Sequence, residues 1–432
     1  MPKITFLGAG STIFAKNVLG DSLLTPALRE SEIALYDIDQ KRLGESQRML
    51  ENINGNCNGG RADIVAYTDR RKALAGADYV VNAIQVGGYD PCTITDFEIP
   101  KKYGLRQTIA DTLGIGGIFR SLRTIPVMMD FARDMEELCP DAWFLNYTNP
   151  MSILTGAMLH DTGVKTVGLC HSVQVCAPDL LKGLDMPSEG VVAKIAGINH
   201  MAWLLEVTRD GEDLYPEIKR RALAREGKHD DMVRYEMMKQ FGYYVTESSE
   251  HNAEYLPYFI KSRYPELVDR FNIPLDEYPR RCVKQIADWE TMREQIVNDA
   301  SLEHKRSHEY ASYIMEAMET NVPYKINGNV LNTGLITNLP SQAVVEVPCL
   351  VDGSGVTPCH VGELPAQLAA LNRTNINVQL LTLEAARTLK KEHIYHAAML
   401  DPHTSAELSL DDIRSMVDDM ISAHGDWLPK YK

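Results

Sequence analysis

The stretch GLCHS (168–172) sets Cys170 beside His171, and GINH (197–200) brings His200 about thirty residues later. A thiolate and an imidazole are good ligands for a divalent transition metal. Two protein ligands are too few for a structural zinc site, which four ligands close. They would leave positions open for water and substrate oxygens, as a Lewis-acid catalyst needs. The alternative is a buried cysteine with two hydrogen-bonded histidines, and spacing alone favours it. The decision depends on where the chain carries these residues.

A second chemical signal opens the chain. KITFLGAGST (3–12) reads as a short apolar strand running into glycines, with helical spacing from Ile13 to Leu24. Gly8 permits a tight turn, and Gly10 lets a pyrophosphate approach the backbone at a helix N-terminus, beside Ser11 and Thr12. Ile13 stands where a third glycine is usual. Asp37 ends a second strand, EIALYDID (32–39), where an acid can bind ribose hydroxyls and repel a 2′-phosphate, so NAD is preferred to NADP. The plainer alternative is a tight turn followed by an N-capping acid. Gln85 ends a fourth strand and Asn149, in NYTNP (146–150), ends another, both at the edge where parallel sheets bind ligands. Asn149 could bind a substrate hydroxyl or hold the loop before Pro150.

The elements that must position these residues alternate. Strands are expected at 3–7, 32–39, 62–69, 78–88, 143–150 and 165–172, with a helix at 41–54. This pattern predicts an α/β fold: a Rossmann-like, doubly wound parallel sheet up to about residue 175. Residues 213–319 read as helical and charged, 328–352 as β-rich, and 364 onward as helical. The expected division is 1–195 for a cofactor domain and 196–432 for a mixed α+β domain, together like lactate or malate dehydrogenase. Cys170 and His171 then fall at the ligand-binding edge, and His200 at the domain junction.

Composition narrows the function classes. A net charge of −15 argues against nucleic acid, whose phosphates need a basic surface. No apolar run reaches the length of about 20 residues needed to cross a bilayer. The N-terminus enters a strand at once, which argues against a signal peptide. Eight scattered cysteines without a CxxC pair suit free thiols in a reducing cytoplasm.

Taken together, GAGST, IQVGGYDPCT (84–93), QTIADTLGIGGIFRSLRTIP (107–126), NYTNPM, GLCHS and GINHMAW resemble the family 4 glycoside hydrolases over nearly the full length. ESSEHNAEYLPYF (247–259), PLDEYPRRC (274–282), TNINVQ (374–379) and HGDWLP (424–429) resemble the α-galactosidase branch of that family. The family is an NAD-dependent exception among glycosidases. The resemblance implies a bond broken through transient oxidation: hydride leaves C3 to NAD⁺, a base takes the C2 proton, the aglycone is eliminated, and water and hydride return. It implies Cys170 and His200 as ligands of a divalent metal, usually manganese, and Asn149 as a substrate-binding asparagine.

The acid and base are less directly marked. His171 follows the metal cysteine where some family members carry an aspartate proposed as the acid; it could protonate the leaving oxygen or bind substrate. Asp111, in DTLGIGG, is the other acid candidate, or it orients groups near the metal. Other branches place a tyrosine or aspartate base a few residues after the glycine equivalent to Gly242. Here Ser248 and Ser249 occupy the nearest positions, which leaves Glu247, Glu250, Tyr243, Tyr244 or a metal-bound hydroxide. For Glu247 and Glu250 the alternative is a solvated face or a capping pair. The expected function is a cytoplasmic α-galactosidase acting on melibiose or related α-galactosides, as a homodimer or homotetramer. The alternatives are a related α-glucosidase or α-galacturonidase, an NAD-dependent dehydrogenase, and a non-catalytic NAD-binding regulator.

Overall fold

The computed structural model describes residues 1–432. Thirteen strands form one mixed sheet: β1 Lys3–Leu7, β2 Glu32–Tyr36, β3 Asp63–Tyr67, β4 Tyr79–Asn82, β5 Trp143–Asn146, β6 Lys165–Gly168, β7 Val191–Ile198, β8 Met201–Arg209, β9 Glu212–Asp213, β10 Tyr244–Val245, β11 Tyr324–Leu331, β12 Val344–Asp352 and β13 Gly355–Pro358. The order is β10-β8-β7-β12-β11-β6-β5-β4-β1-β2-β3, with β13 on β12 and β9 on β8.

The six strands β3-β2-β1-β4-β5-β6 are all parallel. This is the doubly wound order with helices on both faces. Ile33, Leu35, Val80, Val81, Phe144, Leu145 and Val167 are fully buried, as strands covered on both sides require. The second helix, Gln40–Asn58, starts where the Asp39 side chain accepts from the amides of Lys41 and Arg42, and it stops at Gly59 with φ +65°. Both ends follow ordinary capping chemistry.

Apart from β1, each parallel strand is shorter than the run expected for it. The run 78–88 is paired only to Asn82, and 165–172 only to Gly168. The remaining residues pass the sheet edge and turn. Gly87 turns at φ +81°, where a Cβ would lie 2.2 Å from Cys92 Sγ, so no side chain fits. Cys170 is thereby not a strand residue; it caps the helix His171–Gly183.

Beyond β6 the sheet becomes antiparallel. The charged stretch folds as helices that include Met232–Phe241, Ser249–Tyr255, Glu277–Val297 and Ala311–Thr320, and the chain closes with Ala366–Thr388 through Leu410–His424. Residues on either side of 195 share the sheet and one apolar core, in which Ile4 and Phe6 join Ala196, Trp203 and Val347.

Candidate active site

Cys170, His200 and Glu247 converge, with one ligand atom from each lying within 4.8 Å of the others. They come from three distant segments. Cys170 is fixed through its backbone: its amide donates to Tyr310 Oη at 2.6 Å, and that hydroxyl donates to the Cys170 carbonyl at 3.1 Å. His200 sits in the tight turn between β7 and β8 at φ +63°. Its Nδ1 lies 3.0 Å from Tyr255 Oη, and its Nε2 lies 3.3 Å from Glu247 Oε2. A histidine ligand oriented through its second nitrogen is the usual arrangement at a metal.

Electrostatics agree with a cation here. Burial works against charge on His200, yet the Glu247 carboxylate and the Cys170 sulfur outweigh it and raise the imidazole pKa. Burial likewise opposes ionisation of Glu247, but His200 and His251 bring its pKa down to about 2. A fixed excess of negative charge holds a proton on His200, and a divalent cation can replace that proton. The donor set of sulfur, nitrogen and oxygen suits a transition metal and leaves open positions.

His251 is buried beside this cluster, its ring 5.1 Å from that of His200. Burial is the largest influence on it and lowers its pKa, which favours the neutral ring. Ser248 Oγ is 2.7 Å from its Nδ1, and Asp111 Oδ1 is 3.9 Å from its Nε2. Asp111 also accepts from the Thr112 hydroxyl at 2.8 Å. The loop that carries it is pinned by buried Glu254, whose carboxylate accepts from the amides of Thr108, Ile109 and Ala110. Glu250 is apart from the cluster: its carboxylate pairs with Arg281 at 2.7 Å. Tyr244 is buried and donates to Asp231.

His171 stacks on Tyr147, with ring centroids 5.7 Å apart, and meets Phe14 edge-on. Its Nε2 lies 2.6 Å from Glu309 Oε2, while nearly half of the side chain remains open to solvent. Glu309 is buried, and its amide donates to Ser307 Oγ. Ser307 donates in turn to Asp21 on the first helix, at 2.6 Å. The sequence marks neither Glu309 nor His251: Glu309 lies in a charged loop without a motif. His251 stands inside the motif ESSEHNAEYLPYF (247–259), which gives it no role of its own.

On the cofactor side, Gly8 turns at φ +88°, and a Cβ there would lie 2.7 Å from the Ala83 carbonyl oxygen. The Gly10 amide donates to Asp37 Oδ2 at 2.7 Å, and the Asp39 amide donates to Oδ1. Ser11 is exposed at the helix start. Thr12 faces inward instead, its hydroxyl 3.1 Å from Ser46 Oγ. Gln85 is exposed just past β4. Asn149 Oδ1 is buried without a partner, and its carbonyl accepts from Arg120 Nε at 3.2 Å. A glycine turn, an acid and an unpartnered amide oxygen suit a dinucleotide and a polar ligand along this edge.

Known proteins are similar to this chain in sequence and in fold. A model described as "Family 4 glycosyl hydrolase" matches residues 3–186, and one described as "Family 4 glycosyl hydrolase C-terminal domain" matches 195–404. The chain belongs to the family 4 glycosyl hydrolases. It is 71% identical over 433 residues, 100% of each chain, to an alpha-galactosidase of Bacillus subtilis (strain 168). Its fold is similar to that of a 6-phospho-alpha-glucosidase from gut microorganisms solved in complex with NAD and Mn2+, at TM-score 0.80 and 21% identity over 100% of both chains. A malate dehydrogenase from Plasmodium falciparum shares the fold more distantly, at TM-score 0.54 and 13% identity over 90% of this chain and 99% of that one.

Proposed function

We propose that this chain is an α-galactosidase that hydrolyses melibiose or related α-galactosides by oxidation, elimination, addition and reduction. One observation carries the mechanism: Cys170, His200 and Glu247 converge beside the Asp111–His251 pair, in a chain so close to an α-galactosidase. When bound, NAD would supply a reversible hydride acceptor, and Mn2+ or another divalent cation would supply a Lewis acid for substrate oxygens.

The residues of the chain do the rest. Gly8, Gly10, Ser11 and the helix start hold the pyrophosphate, Asp37 the ribose, and Gln85 and Asn149 line the sugar-facing edge. Thr12 supports that loop from within through Ser46. Cys170, His200 and Glu247 hold the cation. The Asp111–His251 pair accepts the C2 proton: Ser248 engages Nδ1 and leaves Nε2 toward Asp111. His171 protonates the leaving oxygen with Glu309 behind it, and its stacking on Tyr147 keeps the ring upright. Glu250 acts at one remove by holding Arg281.

We assign residues 1–195 to cofactor binding and 196–432 to substrate, metal and self-association. The change of family match between 186 and 195 supports this division. Val283 and Ile286, exposed on the helix Glu277–Val297, favour a homodimer or homotetramer, which sedimentation would measure. Eight free cysteines support a cytoplasmic location, and no helix is long and apolar enough to cross a membrane.

Hydrolysis of an α-galactoside in D2O tests the mechanism. Ordinary glycosidases leave the C2–H bond intact, whereas elimination breaks it in every turnover. Proton NMR should find deuterium at C2 of the released galactose and protium retained at C3, with no accumulation of NADH. Full protium at C2 overturns the elimination route.

A further inference from the structure

The parallel and antiparallel parts of the sheet meet at a single rank of residues. β6 pairs with β11 only through Gly168 and Asn329, and β12 pairs with β7 only through Glu346 and Gly197. Asn329 and Glu346 are themselves directly opposite on β11 and β12. One transverse row, Gly168–Asn329–Glu346–Gly197, thus crosses four strands. Cys170 lies two residues past one end of the row and His200 three residues past the other.

Side chains fasten this row. Asn329 Nδ2 donates to Glu346 Oε1 at 2.9 Å and reaches the Gly168 carbonyl at 3.3 Å. Asn199 Nδ2, beside His200, donates to the same Oε1 at 3.3 Å. All three side chains are buried. The strands close tightly at both ends: a Cβ on Gly168 would lie 2.6 Å from Met151 Sδ, and one on Gly197 would lie 2.7 Å from Ala202 Cα. Val344, Val345 and Val347 surround Glu346 on its strand. An apolar residue would serve stability at least as well as a buried carboxylate. What a hydrogen-bonded carboxylate adds is a fixed geometry.

We infer that Glu346 and Asn329 are positioning residues for the metal site, setting the separation of the strands that deliver Cys170 and His200. The inference rests on the reading of those two residues as metal ligands. Neither belongs to the Cys170–His200–Glu247 cluster; each acts through the strand end it ties down, as groups beyond the ligands commonly do.

The test compares Glu346→Leu, Glu346→Gln, Asn329→Ala and Cys170→Ser. Mn2+ affinity is read by electron paramagnetic resonance, and site geometry by the thiolate-to-metal charge-transfer band of the Co2+-loaded protein. Glu346→Leu should weaken Mn2+ binding about ten- to a hundredfold and shift the Co2+ band. Glu346→Gln keeps an oxygen for both asparagine amides and should restore most of the affinity. Asn329→Ala should weaken binding in the same sense, and it decides the matter if Glu346→Leu does not fold. If Cys170→Ser loses Mn2+ while Glu346→Leu and Asn329→Ala keep wild-type affinity and an unshifted band, the positioning role is overturned, even if their melting temperatures fall. If Cys170→Ser itself binds Mn2+ normally, the ligand assignment fails and takes this proposal with it.

Discussion

The cofactor edge and the catalytic edge of this cleft are made of different material. Along β1, β2 and β4 the groups proposed to meet NAD are mainly backbone: the turn at Gly8, the chain at Gly10 and the start of the first helix. All but the β4 end lie within the first 37 residues. The metal cluster instead uses three side chains from positions 170, 200 and 247, and its supports reach to Glu309 and Glu346. A backbone site spreads its binding over many groups, so one substitution removes little. A side-chain site concentrates it, so one substitution removes most of it.

The largest effect should therefore come from the cluster. Cys170→Ser and His200→Ala remove the proposed ligands to a cation worth several kcal/mol of transition-state stabilisation, so kcat should fall about a thousandfold or more. NAD affinity, followed by quenching of protein fluorescence, should hardly change. Near-normal manganese-dependent turnover in Cys170→Ser would erase the contrast between the two edges.

Glu309 sharpens it. Loss of the carboxylate behind His171 should lower kcat by about a hundredfold, within the range for general acid catalysis. The loss should be large for melibiose, whose leaving sugar needs a proton, and small for a nitrophenyl galactoside, whose leaving group does not. An equal loss on both substrates would mean that Glu309 serves folding and not proton delivery.

Asp37→Ala should have the smallest effect. It removes charged hydrogen bonds worth about 1.5–3 kcal/mol, so NAD affinity should fall about ten- to a hundredfold while kcat at saturation holds. The preference for NAD over NADP should narrow. Equal activation of the unaltered protein by both cofactors would end the role given to Asp37.

The same contrast explains what the sequence made legible. The parallel sheet could be read because its strands are short apolar runs between turn signals, and the glycine turn because its neighbours are local. The strand ends could not, since Ile84 or Leu169 is as apolar as a strand residue and only the absence of a paired neighbour ends the ladder. The mixed sheet was hidden for a related reason: β11 and β12 insert between strands that are adjacent in sequence order. At the site, Cys170 and His200 stood out as residue types in an odd place. Glu247 was one of several acids in a polar stretch, and only the folded chain separates it from Glu250, which Arg281 neutralises. Glu309 carries no local signal, because its partner His171 lies 138 positions away; His251 lies inside the branch motif, but its approach to Asp111, 140 positions away, comes only from folding.

Two of the three cluster residues, His200 and Glu247, hold a left-handed main-chain conformation at φ +63°. Neither is glycine, and such a conformation costs a side-chain-bearing residue about 1–3 kcal/mol. The cluster is therefore a spring held under tension by its surroundings. Glycine at either position would relieve that cost and would remove a side chain of the cluster. At both positions a side chain able to hold a cation stands where glycine would rest more easily.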